Sequence, residues 1–207
     1  MCRTKNAIVG GNTNGNNEIT PPDTGVSKSF LNEYVVGLYS GVINEYNLSI
    51  ELYGLIGDYY DNALKQGFDT DFEKGSKAEA VYLKLRSNLW HFGAAKQYTQ
   101  NREILSSFIA PLEEIPFKDF KDTADTILSN YNDNYLKTEW RTAVANSQSA
   151  RDWGYLMEDE TIEYIEYITQ EDGLVRPAHA KLNGARYKKS DPFWDLYFPP
   201  NDYNCRC

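Results

Sequence analysis

The C-terminal stretch from Arg176 to Cys207 constrains the fold more than any other part of the sequence. It holds four of the eight prolines and three of the five residues that are Cys or His. Proline fixes φ and has no backbone N–H, so a stretch interrupted this often cannot run as one regular helix or strand. The pattern predicts a tightly folded loop module whose shape depends on individual residues, and we look there first for a functional site.

The sequence between residues 28 and 157 carries apolar residues at steps of three and four, the period of an amphipathic helix. It predicts five helical segments: Leu31–Tyr39, a second capped by Asn47 or Ser49 and closed by Gly67, a third from about Lys77 that Pro111 ends, a fourth from Phe117, and a fifth from Leu136. The apolar stripe expected to face the core in the third segment is Val81, Leu85, Leu89, Phe92 and Ala95. Asn130–Asn134 has poor helix propensity, which predicts a kink or break there.

The character of the sequence changes after residue 158. Ile162–Ile168 is β-branched and aromatic, and Asp172-Gly173 separates it from Leu174-Val175. An Asp-Gly pair between such runs predicts a hairpin, to which Ala185–Tyr187 could add a further short strand. The predicted fold class is therefore mainly α with a small C-terminal module rich in β-structure and loops, an α+β arrangement.

Three regions follow from these patterns. Residues 1–27 lack periodicity and are rich in Gly, Asn and Pro, which predicts a flexible N-terminal arm that is ordered only where a partner holds it. Residues 28–157 form the predicted helical body, and residues 158–207 form the predicted hairpin and loop module.

Charge and composition disfavour several classes of function. The net charge is −9, and Lys and Arg do not cluster as tight sequence-independent binding to phosphates requires, so direct nucleic-acid binding is not expected. No run of eighteen apolar residues predicts a membrane span. The start of the chain lacks the apolar stretch of a secretory signal, and three cysteines make no disulfide framework, so we expect an intracellular protein.

The two C-terminal cysteines are candidate metal ligands. Cys205 and Cys207 are one residue apart, so in an extended backbone their side chains point to the same side. His179 could join them as a third ligand, whereas a structural Zn²⁺ site needs four. Its fourth ligand would be Asp172, Asp191, Asp195 or water. The alternative is that His179 and both cysteines pack and hydrogen-bond without metal.

Catalysis and docking are the two competing uses of the module. A small zinc- or thiol-dependent hydrolase would use His179, Cys205 and Cys207. We favour a rigid docking module without catalytic activity, because nothing in the sequence identifies an oriented third group. In that interpretation Phe193 and Trp194 cover the end of the hairpin, and Arg176 pairs with Asp191 or Asp195. His91 is predicted to lie on a helix surface.

Three strings in the module carry a family resemblance. Val175-Arg-Pro-Ala-His-Ala-Lys-Leu-Asn-Gly184, Asp191-Pro-Phe-Trp194 and Pro199-Pro-Asn-Asp-Tyr-Asn-Cys-Arg-Cys207 together resemble the signature of the phage Mu F-like head morphogenesis family. The helix around Tyr135–Ala143 is similar to the one that precedes this signature, and the likeness extends over roughly residues 35–207. Its residues are Arg176, Pro177, His179, Gly184, Asp191, Pro192, Trp194, Pro199, Pro200, Asn204, Cys205 and Cys207.

The resemblance implies a minor head protein needed for building an infectious phage or prophage head. Its implied partners are the portal protein and other capsid components, and its implied locations are the host cytoplasm during assembly and the interior of the virion head. In many members a Cys-x-x-Cys pair has its second Cys at the position of His179 and its first at that of Arg176. Because the sequence stops at Cys207, we expect none of the nuclease or transferase domains that some fused relatives carry.

Overall fold

The computed structural model describes the backbone of Ala7–Ile8 together with residues 20–68 and 73–207. The helices are α1 (Lys28–Tyr39), α2 (Ile50–Phe68), α3 (Lys77–Ser106), α4 (Phe117–Ser129), α5 (Leu136–Glu158), α6 (Pro177–Ala180) and α7 (Phe193–Tyr197). The strands are β1 (Ala7–Ile8), β2 (Tyr164–Glu166) and β3 (Arg186–Lys188). The fold is mainly α with a small β module, as the sequence predicts. Within the described residues, no helix is both long enough and apolar enough for a bilayer crossing.

The chain divides into two compact units. The helical unit consists of Pro21–Ala63 and Leu83–Trp140, and the C-terminal unit consists of Met1–Thr20, Leu64–Tyr82 and Arg141–Cys207. The predicted flexible arm, residues 1–27, lies mostly outside the described residues. Within it lies β1, which the sequence did not predict and which pairs in parallel with β2.

Helix starts in the helical unit follow local capping chemistry. The hydroxyl of Ser27 accepts a hydrogen bond from the Phe30 N–H at 3.1 Å, and that of Ser49 accepts one from Leu52 at 3.2 Å. Ser49 therefore caps α2, whereas the Asn47 side chain donates to the Val42 carbonyl. The buried apolar core of this unit contains Tyr34, Val35, Leu38, Leu52, Ile56, Tyr59, Tyr60, Ala63, Ile104, Phe120, Ala124, Leu128, Leu136 and Trp140.

The segment Asn130–Tyr135 is π-helical and joins α4 to α5 without a break. The predicted break at Asn130–Asn134 was wrong, because the helical backbone continues through the segment, with a π turn in place of regular α-helix. Buried residues recur at every fourth position through this region: Phe120, Ala124, Leu128, Asn132, Leu136 and Trp140. In an α-helix, a four-residue step drifts around the axis because a turn takes 3.6 residues. A π turn accommodates an extra residue, which brings the buried positions back to one face.

The core-facing side of α3 differs from the predicted stripe. Its buried residues are Gly93, Lys96, Gln97, Gln100, Asn101 and Ile104. Phe92 is 37% exposed and Ala95 is exposed, so the predicted face was wrong by a rotation of about one residue, or about 100°. His91 is exposed, which confirms its predicted surface position.

Two glycines explain this rotation. A Cβ on Gly57 of α2 would lie 2.6 Å from the Trp90 ring, and one on Gly93 would lie 3.2 Å from Ile56. Both positions allow α2 and α3 to approach more closely than side chains of ordinary size permit. Trp90 is fixed over Gly57 by its indole N–H, which donates to the Asp61 carboxylate at 3.1 Å. The close contact, rather than hydrophobic periodicity, sets which side of α3 is buried.

We expect Gly57→Ala to destabilise the protein even though alanine favours helices. The added methyl group would displace the Trp90 ring from its contact and strain the indole hydrogen bond, at a cost of about 1–3 kcal/mol. Gly54→Ala on the same helix is the matched control, because a Cβ there meets nothing within 4 Å. It should stabilise the helix by roughly 0.5–1 kcal/mol. Urea unfolding measures both, and equal stabilisation by the two variants would contradict the explanation.

The C-terminal unit has a hydrophobic cluster of its own. Its buried members are Leu156, Ile165, Tyr167 and Trp194, and partly buried residues pack around them, including Trp153, Phe193 and Phe198. The strand order is β1-β2-β3, with Ile165 opposite Tyr187 in the antiparallel pair. The cluster lies against α5, which supplies Leu156.

The predicted hairpin, in which Ile162–Ile168 pairs with Leu174-Val175 across Asp172-Gly173, was wrong. The partner of β2 is β3, which the sequence offered only as an additional strand, and Leu174 is exposed. Local turn chemistry explains the difference. The Asp172 carboxylate accepts a hydrogen bond from the Leu174 N–H at 3.0 Å, and its carbonyl accepts one from Val175 at 3.1 Å. These two hydrogen bonds form a tight turn from Asp172 to Val175, so Leu174-Val175 does not have the extended backbone of a strand.

Candidate functional site

Trp194 and Phe193 hold the end of the β2–β3 pair, which is not the hairpin that the sequence predicted them to cover. Trp194 is buried, and its indole N–H donates to the Lys188 carbonyl at the end of β3, at 2.9 Å. The Phe193 ring stacks on Tyr187 of β3, with centroids 4.4 Å apart. Pro192 is the N-cap of α7, and the Asp191 carboxylate accepts from the Phe193 N–H at 2.9 Å. The string from 191 to 194 therefore fixes α7 onto the sheet.

The predicted pairing of Arg176 with Asp191 or Asp195 was wrong. The Arg176 guanidinium donates to the Tyr203 carbonyl and lies 3.8 Å from the Asp202 carboxylate. The Asp191 carboxylate instead accepts a hydrogen bond from the Phe193 N–H at the start of α7. Sequence spacing gave no sign that the last residues of the chain return past Arg176.

A second set of contacts ties the end of the chain to the segment around residue 170. Arg206 forms an ion pair with Asp172, and its carbonyl accepts from the Gln170 N–H at 2.9 Å. The Arg206 guanidinium holds the pKa of the Asp172 carboxyl below its usual range. Because both residues are partly exposed, the pair contributes little stability by charge alone and acts chiefly to position the chain.

The remaining motif residues shape the backbone of the module. Pro177 begins α6, and the Pro199–Pro200 peptide is cis, with the Ser149 hydroxyl donating to the Pro199 carbonyl. Gly184 has φ +79°, a conformation that costs glycine nothing. Asn204 has φ +52°, in the left-handed region that Asn tolerates better than most residues. These residues position the loops around His179 and the two cysteines.

The structure brings His179, Cys205 and Cys207 together. The His179 Nδ1 atom lies 3.8 Å from Cys205 Sγ and 3.4 Å from Cys207 Sγ, and all three ligand atoms lie within 4.8 Å of one another. Tetrahedral Zn²⁺ bonded at about 2.3 Å to sulfur and about 2.05 Å to nitrogen separates the two donors by about 3.6 Å. The observed separations bracket that value, so the three residues fit a Zn²⁺ ion.

None of the three carboxylates considered as a fourth ligand joins this group within residues 20–68 and 73–207. Asp172 is paired with Arg206, Asp191 is bonded at the start of α7, and Asp195 is exposed on that helix. Of the sequence-based alternatives, water remains for the fourth position.

The Cys207 thiol is not prepared for nucleophilic attack. Burial raises its pKa to about 11, so in the absence of a bound metal ion the thiol is protonated near neutral pH. Nucleophilic cysteines require the opposite shift, because the thiolate is the reactive form.

Comparison with known proteins identifies the family. Residues 60–207, more than two thirds of the chain, match the family described as "Phage Mu protein F like protein". The chain belongs to this family. The match begins further along the chain than the likeness noted from residue 35, and it includes all of the module.

Two relatives illustrate the likeness. The chain is similar to the Mu-like prophage FluMu F protein of Haemophilus influenzae, with 34% identity over 73 residues, which are 35% of this chain and 18% of that protein. It is also similar to the putative capsid assembly protein F of Escherichia phage Mu, with 43% identity over 44 residues, 21% of this chain and 10% of that protein. The chain thus spans less than a fifth of either relative. No solved structure matches it significantly.

A cleft of about 240 Å³ lies beside the Cys205 side of the cluster in this Mu F-like protein. Its walls come from the first turns of α5 within the C-terminal unit and from the end of the chain: Arg141, Thr142 and Ala145 on one side, Pro200, Asp202 and Cys205 on the other.

Lys189 is a structural residue of the module that the sequence analysis missed. Its ammonium group donates to the carbonyls of Leu156, Met157 and Asp159, at 3.2, 3.3 and 2.9 Å. These carbonyls lie at the C-terminal end of α5, where backbone acceptors lack helical partners and a cation is favourable. In the sequence Lys189 appeared only as one of a few neighbouring basic residues, with no pattern that linked it to a helix end.

Proposed function

We propose that this chain is a minor head protein of a phage or prophage, which docks at the portal or the inner capsid during virion assembly. The support is the family match over residues 60–207 and the name of one relative, a putative capsid assembly protein. Its partners would be the portal protein and other capsid components, first in the host cytoplasm and then in the head interior. The net charge of −9 disfavours direct binding to DNA.

One structural observation carries the proposal that the module docks rather than catalyses. The residues that bear the family likeness are engaged in fixing the chain: Trp194 on Lys188, Arg176 on Tyr203, and Pro192 at the start of α7. The same unit exposes large apolar side chains at Leu196, Tyr197 and Tyr203. A rigid frame with exposed aromatic and aliphatic residues suits recognition of another protein.

Crosslinking in assembled particles tests the docking proposal. A photoreactive amino acid at Leu196, which is 72% exposed on α7, should crosslink to the portal or an inner capsid protein. The control is the same probe at Ile109, fully exposed in the helical unit. Absence of the chain from purified particles, or equal crosslinking from both positions, would contradict docking through the module.

We also propose that His179, Cys205 and Cys207 hold a structural Zn²⁺ ion with water in the fourth position. Zinc would supply a crosslink between α6 and the last residues of the chain, which are otherwise held by Arg176 and the Arg206–Asp172 pair. The support is the donor set and its separations, which fit tetrahedral zinc.

We expect His179→Ala to lower the zinc content of the purified protein from about one ion per chain to a small fraction of that, because two thiolates alone make an incomplete site. His91→Ala is the matched control, since it removes the other histidine from an exposed position on α3. Elemental analysis by mass spectrometry gives the stoichiometry. A zinc-free wild-type protein after growth and purification with zinc, or equal zinc in both variants, would contradict the site.

The hydrolase remains the second candidate because of one observation. Catalytic zinc sites keep three protein ligands and an open position, and the 240 Å³ cleft borders Cys205. Cys205→Ser separates the two functions. Loss of head assembly without any hydrolytic turnover in the wild type supports docking, whereas loss of a measured hydrolysis with assembly intact supports the enzyme.

A further inference from the structure

The hydroxyl of Tyr167 is a polar group placed inside the apolar cluster of the C-terminal unit. Tyr167 is 1% exposed and belongs to the same cluster as Leu156, Ile165 and Trp194. Its hydroxyl forms no hydrogen bond of normal geometry with any residue in the described part of the chain. A buried hydroxyl without such a bond costs free energy that a phenylalanine would avoid. Packing alone therefore does not explain why a tyrosine occupies this position.

The Cys207 thiol is a polar neighbour of this hydroxyl. Cys207 is partly buried and packs against the cluster that contains the Tyr167 ring. Burial raises the pKa of Tyr167 and the Cys207 sulfur raises it further, so the hydroxyl keeps its proton and can act as a donor. A second polar neighbour, the Asn201 side chain, lowers the same pKa, as a donor to the phenolic oxygen does. The O–H hydrogen is thus left for the sulfur.

Backbone hydrogen bonds position both sides of this contact. Tyr167 follows β2 directly and exchanges two hydrogen bonds of 2.8 Å with residues 184–185, so it continues the pairing towards β3 by one residue. The Gln170 N–H donates to the Arg206 carbonyl at 2.9 Å, which holds the residue before Cys207 against the same segment. The approach of the hydroxyl to the sulfur is therefore set by the fold and does not depend on a mobile side chain.

Metal binding would change what the sulfur can accept. A protonated thiol is a weak hydrogen-bond acceptor, and a cysteine must lose its proton before it can bind a metal ion. In the proposed site, negative charge would therefore arise on the Cys207 sulfur, beside the Tyr167 hydroxyl. Groups that hydrogen-bond to metal ligands orient them, and their removal typically weakens metal binding by about 10–100-fold.

We propose that Tyr167 is a positioning residue of the zinc site, whose hydroxyl donates a hydrogen bond to the Cys207 thiolate and holds the sulfur in place for the ion. The inference rests on the proposed Zn²⁺ site and adds a residue outside its ligand set. It also explains the tyrosine, because the hydroxyl that is unsatisfied beside a neutral thiol has a strong acceptor beside a thiolate.

The test is Tyr167→Phe in the full chain. The dissociation constant for Zn²⁺, measured by competition with a chromophoric chelator, should rise tenfold or more. With Co²⁺ in place of Zn²⁺, the thiolate-to-metal charge-transfer absorption should move to longer wavelength, because the sulfur loses a hydrogen bond. Tyr187→Phe is the matched control: Tyr187 is 40% exposed, and its ring also contacts Phe193. It should change neither the affinity nor the absorption.

Hydrogen exchange of the zinc-free protein separates positioning from packing. Without metal the Tyr167 hydroxyl has no well-formed hydrogen bond to lose, so Tyr167→Phe should leave exchange in β2 and β3 unchanged or slower. Faster exchange there, or wild-type zinc affinity in the variant, would overturn the role of Tyr167 and leave the metal site standing. A wild-type chain that binds neither Zn²⁺ nor Co²⁺ would overturn the metal site and this inference together.

Discussion

Lys96→Met is expected to lower the free energy of unfolding by about 3–5 kcal/mol, although methionine fills a similar volume. The substitution leaves the Glu139 carboxylate, 12% exposed, with no opposite charge, and breaking a buried ion pair by removing one partner has this cost. The hydrogen bond from Tyr60 remains but does not neutralise the charge. Urea unfolding followed by circular dichroism measures the change.

Two controls isolate the buried charge as the cause. Lys96→Met with Glu139→Leu removes both charges, so it should recover most of the loss and can exceed the wild-type stability. Lys118→Met, which breaks an exposed pair with Asp122, should change the stability by less than about 1 kcal/mol. If the double variant were as unstable as the single one, packing rather than charge would be responsible.

Trp194→Ala is the second substitution with a large expected effect, about 3–5 kcal/mol against the stability of the C-terminal unit. It removes a buried ring from the cluster with Leu156, Ile165 and Tyr167, and it leaves the Lys188 carbonyl without its indole donor. Hydrogen exchange measured by mass spectrometry should show faster exchange in β2 and β3. If the module is the docking element, incorporation into heads should be lost as well.

Leu196→Ala is the matched control, because it lies on the same short helix with its side chain 72% exposed. Its effect on exchange in β2 and β3 should be negligible, since surface truncations away from the core usually change stability little. Similar acceleration of exchange by both variants would show that α7 as a whole, rather than the Trp194 ring, supports the sheet.

Periodicity predicted the existence of the helices well but not which side of α3 faces inward. The steps of three and four residues follow from helix geometry, and Lys77 and Phe117 are helix starts as predicted. The orientation of α3 depends on Gly57 and Gly93, which admit close contacts that no hydrophobicity pattern records. The close packing of α2 against α3 therefore outweighs the hydrophobic periodicity of α3 in determining which side is buried.

The strand pairing and the site show the same division. The sequence identified β2 and the segment that became β3, but a local turn at Asp172 excluded the nearer partner. Cys205 and Cys207 could be grouped because their spacing is a local property, whereas His179 could be added only by its residue type, and the fold brings it to them. The partner of Arg176 could not be predicted, because it depends on how residues 199–207 fold back beside Arg176.

Because Asn130–Tyr135 is π-helical, the number of residues in this segment determines how α5 is rotated relative to α4. A version one residue shorter could wind as uninterrupted α-helix, yet everything after the deletion would turn by about 100° relative to α4. Glu139 would then point away from Lys96, with no substitution at either position. In homologues, single insertions or deletions at this point should therefore be accompanied by changes several turns away.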